Sequence, residues 1–232
     1  MMRRKTFAVD IDGTITENGG GRIHLGALSS LRHMRQLGHN VILVSGRSSI
    51  EGYLLSVFGG LNTISVGENG GCITHGANDH MLLGDKTKCI DALQLIRSKL
   101  SSVKEKPVFP RMTEVVLERT FDIEDAKKIV GANGLDVVLS DSQYAIHINS
   151  SGINKASGFR HVMKILDIDP QEVISIGDSD TDMPLFELAG MSIAVGNASE
   201  GVKSNATMSV RAHAGDGVIE ALDKLAPTLS EM

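Results

Sequence analysis

The sequence predicts an α/β fold: a central parallel sheet flanked by helices and interrupted by an inserted α+β unit. Three observations carry this expectation. Short runs such as TFAVDI and NVILVS are apolar on both strand faces, the pattern of strands covered by helices on either side. They alternate with helix-length segments, as parallel strands joined by right-handed crossovers do. Between about residues 81 and 152 the pattern turns to polar and apolar alternation, then reverts.

Each element follows from local chemistry. TFAVDI (residues 6–11) is the first strand, and Gly13 lets the chain turn after it. Leu28, Leu31, Met34 and Leu37 recur at three-residue steps from Leu25, predicting a helix that Gly38 ends. NVILVS is a second buried strand, SSIEGYLLSVFG a helix, and NTISVGENGG a short strand entering a glycine-rich turn. In the insert, KCIDALQLIRSKLSSV and DIEDAKKIVGANG read as helices, while TEVVLER, LDVVLS and YAIHINS read as strands. Glu118, His147 and Asn149 alternate there with apolar neighbours, predicting a sheet with one exposed or cleft-facing side. NKASGFRHVMKILDI, DMPLFELAG and GVIEALDKLA are then helices, interleaved with the strands EVISIGD and MSIAVG. The expected division is residues 1–80 and 153–232 for the core and 81–152 for the insert, because three separate domains would each be too small for the sheet they imply.

Composition excludes several classes. With 232 residues, 41% of them hydrophobic, the chain can bury a substantial core. A net charge of -5 gives no reason to expect nucleic acid as a partner. No segment approaches the roughly 18 uninterrupted apolar residues of a membrane span. MMRRK resembles the basic head of a signal peptide, but Asp10 and Asp12 break the apolar run behind it and no cleavage site follows. Cys72 and Cys89 have no metal-ligand spacing and are expected as reduced thiols in a cytoplasmic protein.

The chemistry concentrates at strand ends. Asp10 and Asp12 end the first apolar run, and if the strand persists both carboxylates share one side of it. Ser45 follows VILV and Asp178 follows VISIG, so polar groups from three strand ends converge where parallel sheets gather ligands. Carboxylates this close repel unless a proton or cation joins them, and a hard divalent ion such as Mg²⁺ resolves the conflict while leaving room for a phosphate oxygen. Lys155 opens a helix, where its charge opposes the dipole, so a nearby anion is expected.

The motifs resemble those of the haloacid dehalogenase-like (HAD) phosphohydrolases. DIDGT (residues 10–14) is similar to their DxDGT signature, LVSGR (residues 43–47) to the second motif, Lys155 to the isolated third-motif lysine and GDSDTD (residues 177–182) to the acidic fourth. The insert lies between Ser45 and Lys155, the place of the second cap type in the Cof-like and sucrose-phosphatase-like branch. The resemblance implies a Rossmann-like core with a lid, and a Mg²⁺-dependent phosphomonoester hydrolase acting through an aspartyl phosphate. It casts Asp10 as nucleophile and Asp12 as general acid and base. Asp10, the Asp12 carbonyl, Asp178 and Asp182 would hold the metal; Ser45, the Gly46 amide and Lys155 would hold the phosphoryl group. Thr181 stands where asparagine is common in the family, which puts one hydrogen bond around the metal in question.

Other assignments stay open. Arg47 contacts phosphate or forms a structural ion pair. Ser45 caps the following helix as well as, or instead of, binding phosphate. Asn69, in GENGG, touches substrate or serves the turn. Arg111 and His147 read the leaving group, or are a solvated arginine and a histidine on the wet face of a sheet. The resemblance implies a small phosphorylated metabolite as substrate, 2-phosphoglycolate first and a sugar phosphate as its rival. A phosphomutase of the same fold, and a non-enzymatic response module phosphorylated on aspartate, are the other readings.

Overall fold

Thr6–Val9 forms β1, the centre of an eight-stranded sheet in the computed structural model, which describes residues 4–17, 21–142 and 144–230. The first three residues of MMRRK lie outside that range. On one side of β1 stand β2 (Asn40–Val44) and β3 (Ser65–Gly67); on the other stand β9 (Val173–Gly177), β10 (Met191–Ala194) and β11 (Met208–Ser209). These six run parallel. Strand order therefore reverses beside β1, and at such a switch point the carboxyl ends open a crevice.

The purely parallel expectation needs one correction. β4 (Cys72–Gly76) and β5 (Asp79–Leu82) extend the sheet beyond β3 as antiparallel strands. Their sequences, CITHG and DHML, are short and polar, and β5 is exposed, so they lack the apolar signature of the inner strands. The expected core boundary at residue 80 falls inside β5.

Burial on both faces explains the inner strands. Phe7, Val9, Val41, Leu43, Ile174 and Ile176 pack with Leu31 and Met34 of α1 (Leu25–Gln36) and with Val218 and Leu222 of α8 (Ala214–Ser230). On the opposite face Ala8, Ile42, Val44 and Val66 meet Phe159, Val162 and Met163 of α5 (Lys155–Leu166), with Leu185 of α6 (Met183–Leu188). α2 (Ser49–Gly59) and α7 (Glu200–Asn205) complete the helices of this part.

A second, three-stranded sheet runs in the order β6 (Val115–Leu117), β8 (Ile146–Ser150), β7 (Val137–Asp141), all antiparallel. Ile146, Ile148, Leu139 and Leu117 pack on Leu93 and Ile96 of α3 (Lys86–Lys99) and on Val130 of α4 (Ile123–Ala132). The alternation in YAIHINS does send His147 and Asn149 to the other face, but that face is not wet there. Both residues are buried: Asn149 donates to the Glu68 carbonyl in the loop following β3, and His147 lies between Glu114 and Ser142. The two chain crossings into and out of this unit lie side by side: the Asp85 amide donates to Ser150 Oγ at 2.8 Å. No described helix is long and apolar enough to cross a membrane.

Candidate active site

β1 ends at Val9, so the expectation that Asp10 and Asp12 project from one strand face is corrected. The Asp10 amide still bonds the Ile176 carbonyl at 2.9 Å, which holds it at the sheet edge, but Asp12 enters a turn closed by Thr14 and Ile15 amides on the Ile11 carbonyl. Gly13 makes this turn possible with φ of 79°; a Cβ there would sit 2.2 Å from Asp178 Oδ2. Asp10 is buried, while Asp12 is exposed and gripped by Arg47, whose Nε and Nη2 donate to its two oxygens at 2.8 and 2.7 Å. Arg47 also donates to Glu51 at 3.1 Å, so in this structure it is an ion-pair residue bridging the DIDGT turn to α2.

Lys155 binds the acidic cluster together. Asn154 caps α5, its side chain accepting from the Ser157 amide while Ser157 Oγ accepts from the Asn154 amide, and this fixes the first helical residue. That residue is Lys155, only 2% exposed, and its Nζ donates to Asp10 Oδ1 and Asp182 Oδ1, both at 2.7 Å. The anion expected opposite a lysine at a helix start is therefore a pair of carboxylates. The helix can seat this deeply because Gly158 lies on Gly70: a Cβ on Gly158 would stand 2.6 Å from the Gly70 Cα.

Asp182 is held by protein donors, its Oδ2 accepting from the Asp178 and Ser179 amides and from Ser179 Oγ, each at 3.1 Å. Thr181 turns its hydroxyl to Ser179 at 2.9 Å. Asp178 Oδ1 accepts from Thr14 Oγ1 at 3.1 Å. Asp10, Asp178 and Asp182 each bring an oxygen within 4.8 Å of the others, the one such group of three metal-ligating side chains found among the described residues.

The electrostatics favour a cation. Burial raises the Asp10 pKa well above the carboxylate range; Lys155 opposes that shift, and Asp182 and Asp178 add to it. Asp178 is pushed up to about 6 by burial first and by Asp182 second, against Lys155 and the Thr14 hydroxyl. Burial would lower Lys155, but the charges of Asp10 and Asp182 outweigh it and its pKa is raised. Three carboxylates thus face one ammonium. The donor set is all oxygen, which suits a hard divalent cation.

The remaining sequence candidates surround this cluster. Ser45 does not cap α2: Ser48 does, paired with Glu51 in a capping box, and Ser45 is buried. The Arg47 amide donates to Ser45 Oγ at 3.1 Å. Asn69 occupies a left-handed conformation, with φ of 52°, as does Glu68 with φ of 55°. The Asn69 side chain lies against Gly46, and its Nδ2 is buried with no hydrogen-bond partner among the described residues. Arg111 is not solvated. Its side chain is 8% exposed, and Nη1 donates to the Gly46 carbonyl at 3.1 Å. His147 has both ring nitrogens engaged, Nδ1 with Glu114 at 3.0 Å and Nε2 with Ser142 at 3.2 Å.

Two residues escaped the sequence reading. Asn197 donates to the Gly13 carbonyl at 2.9 Å and to Asp178 Oδ2 at 3.1 Å, while its Oδ1 takes the Ala214 amide at 2.7 Å. It follows β10, and the strand-end argument applied to Ser45 and Asp178 would have found it. Glu68 is fully buried and accepts from the Met112 amide at 3.0 Å and from the Thr113 amide and hydroxyl at 2.7 Å. A glutamate set between glycines after a buried strand was the available signal.

A family model described as haloacid dehalogenase-like hydrolase matches residues 7–109 and 115–222. A phosphoglycolate phosphatase of Nitrosopumilus maritimus is 64% identical over 231 residues, covering 100% of both chains. One of Methanosarcina acetivorans is 35% identical over 230 residues, covering 97% of each. A crystal structure of a Thermoplasma acidophilum protein superposes with a TM-score of 0.86 at 23% identity, covering 96% of this chain and 98% of that one.

Proposed function

Since this chain belongs to the haloacid dehalogenase-like hydrolases and is a phosphatase, we propose that it hydrolyses 2-phosphoglycolate to glycolate and phosphate with Mg²⁺, through a phosphoryl group carried on Asp10. One observation supports the mechanism most: a buried lysine within 2.7 Å of two carboxylates at the switch point of the sheet. The substrate follows the relatives that share the chain's full length.

Asp10 Oδ1 is occupied by Lys155, so Oδ2, which among the described residues meets the Thr14 hydroxyl alone, at 3.5 Å, is the oxygen that attacks phosphorus. The bond from phosphorus to the leaving oxygen breaks as the new one forms. Asp12 gives the leaving oxygen its proton and then takes one from the water that releases phosphate. Its exposure suits this exchange; Arg47 donates to both of its oxygens, so one of those two bonds must open for an oxygen to carry the proton. Ser45 Oγ and the Gly46 amide donate to the phosphoryl oxygens, and Lys155 stabilises charge that develops in transfer. Asp10, Asp178, Asp182 and the Asp12 carbonyl would hold Mg²⁺, which screens the meeting of carboxylate and phosphate anion. Asn69 Nδ2 donates to the leaving group, and His147 contributes indirectly by fixing Glu114. The unit of residues 81–152 serves as a lid over the core of residues 1–80 and 153–232, excluding water from the site.

A panel of phosphomonoesters assayed for phosphate release tests this reading. We expect the highest kcat/KM with 2-phosphoglycolate, loss of activity in excess chelator with recovery on adding Mg²⁺, and loss of about 10³-fold or more in Asp10→Asn. A sugar phosphate turned over faster would overturn the substrate. Activity that persists in chelator, or in Asp10→Ala, would overturn the chemistry.

A further inference from the structure

Three successive carbonyls after β2 each meet a donor. Ser45 O accepts the Asn69 amide at 3.1 Å and Arg47 O the Glu68 amide at 2.7 Å, both from the loop next to β3. Gly46 O, between them, accepts Nη1 of Arg111 at 3.1 Å, a side chain from the segment joining α3 to β6. On the other side of the turn the Arg47 amide donates to Ser45 Oγ at 3.1 Å. The Gly46 amide engages none of the described residues. A single peptide, Gly46 to Arg47, therefore carries Arg111 on its oxygen and the Ser45 hydroxyl on its N–H.

That arrangement has a chemical consequence. A cation on a carbonyl oxygen polarises the peptide and strengthens its N–H as a donor, more so in a buried setting. A serine oxygen that accepts such a bond keeps its own proton to donate elsewhere. The guanidinium is itself placed by Glu114: Nε lies 3.6 Å from Glu114 Oε1, too far for a hydrogen bond and close enough for strong attraction between buried charges. Glu114 Oε2 is fixed by His147 Nδ1 at 3.0 Å and Asn149 Nδ2 at 3.1 Å, both on β8. The chain of contacts runs from the lid sheet to the hydroxyl that meets phosphate.

We propose that Arg111 is a positioning residue, which sets the Ser45 hydroxyl for phosphoryl oxygens through the Gly46–Arg47 peptide without touching substrate. The inference rests on the reading of Ser45 as a phosphate donor. It assigns to a lid residue a role in binding the group common to every substrate, not the group that distinguishes them.

The test is competitive inhibition by inorganic phosphate in Arg111→Gln, Ser45→Ala and the double variant, alongside KM for 2-phosphoglycolate. Each single variant is expected to raise Ki about 10- to 150-fold, the range of one hydrogen bond to a charged group. The double variant should bind phosphate no more weakly than Ser45→Ala, because Arg111 works through that hydroxyl. Multiplying losses in the double variant would overturn the inference. So would an unchanged Ki in Arg111→Gln with a raised KM, which would make Arg111 a direct reader of the carboxylate. An unchanged Ki in Ser45→Ala would overturn the phosphate reading itself, and this inference with it. Should Arg111→Gln fail to fold, Glu114→Gln releases the guanidinium while keeping the shape: a raised Ki that Ser45→Ala does not increase supports the role, and an unchanged Ki refutes it.

Discussion

Asp12 shows how one residue's surroundings divide a reaction into steps. It is the acidic residue of DIDGT that faces solvent, and Arg47 holds it by both oxygens. Asp12→Asn should lower kcat for 2-phosphoglycolate by about 10² to 10⁴-fold, the usual contribution of a general acid and base. With a nitrophenyl ester, whose leaving oxygen needs no proton, phosphorylation of Asp10 should survive and its hydrolysis should not. Phosphopeptide mass analysis after rapid quenching would then find label accumulating on Asp10; turnover equal to the parent enzyme would exclude this role. At this scale the sequence revealed charge that had to be compensated: Lys155 at a helix start and aspartates behind apolar runs both implied partners. It did not reveal aim. On paper Arg111 reads as a solvated arginine and His147 as a residue on the wet face of a sheet, yet each is buried among partners from distant segments, Gly46 for one and Glu114 for the other. No local pattern encodes contacts of that separation.

The elements were legible wherever burial was complete on one side or both. The inner strands and the amphipathic α1, α4 and α5 follow from apolar spacing, whereas the cap of α2 is Ser48 and not the Ser45 that the sequence offered. β4, β5, α7 and β11 did not stand out, because short or edge elements have little apolar periodicity to display. One helix deserves a test of its placement. α5 delivers Lys155 to the carboxylates only because two glycines meet beneath it, Gly158 on the helix and Gly70 at φ of 102° in the loop. Gly158→Ala adds a methyl with no room, so it should destabilise the fold by about 1 to 3 kcal/mol in urea titrations despite alanine's better helix propensity. The same change should depress kcat by moving Nζ from its bonds at 2.7 Å. A variant as stable and active as the parent would show that α5 has slack.

For the whole molecule, the sequence placed Asp10, Ser45 and Asp178 at strand ends and suggested a second unit within the core, but not the strand order that sets the switch point. How that unit rests on the core could not be inferred, since the resting contacts are polar and long in sequence separation. They are also few in kind. The two chain crossings lie together at Asp85 and Ser150, which makes a single hinge line. Glu68 then pins the lid at a third place, through Met112 and Thr113. A plate fastened along one edge can swing; fastened at a further point off that edge, it is locked. If the unit acts as the proposed lid, its opening breaks the Glu68 bonds together with the Arg111–Gly46 bond, and the amides of Met112 and Thr113 should exchange with deuterium at the frequency of that opening, faster in Glu68→Gln. Exchange at those amides only on global unfolding would mean that the lid never lifts.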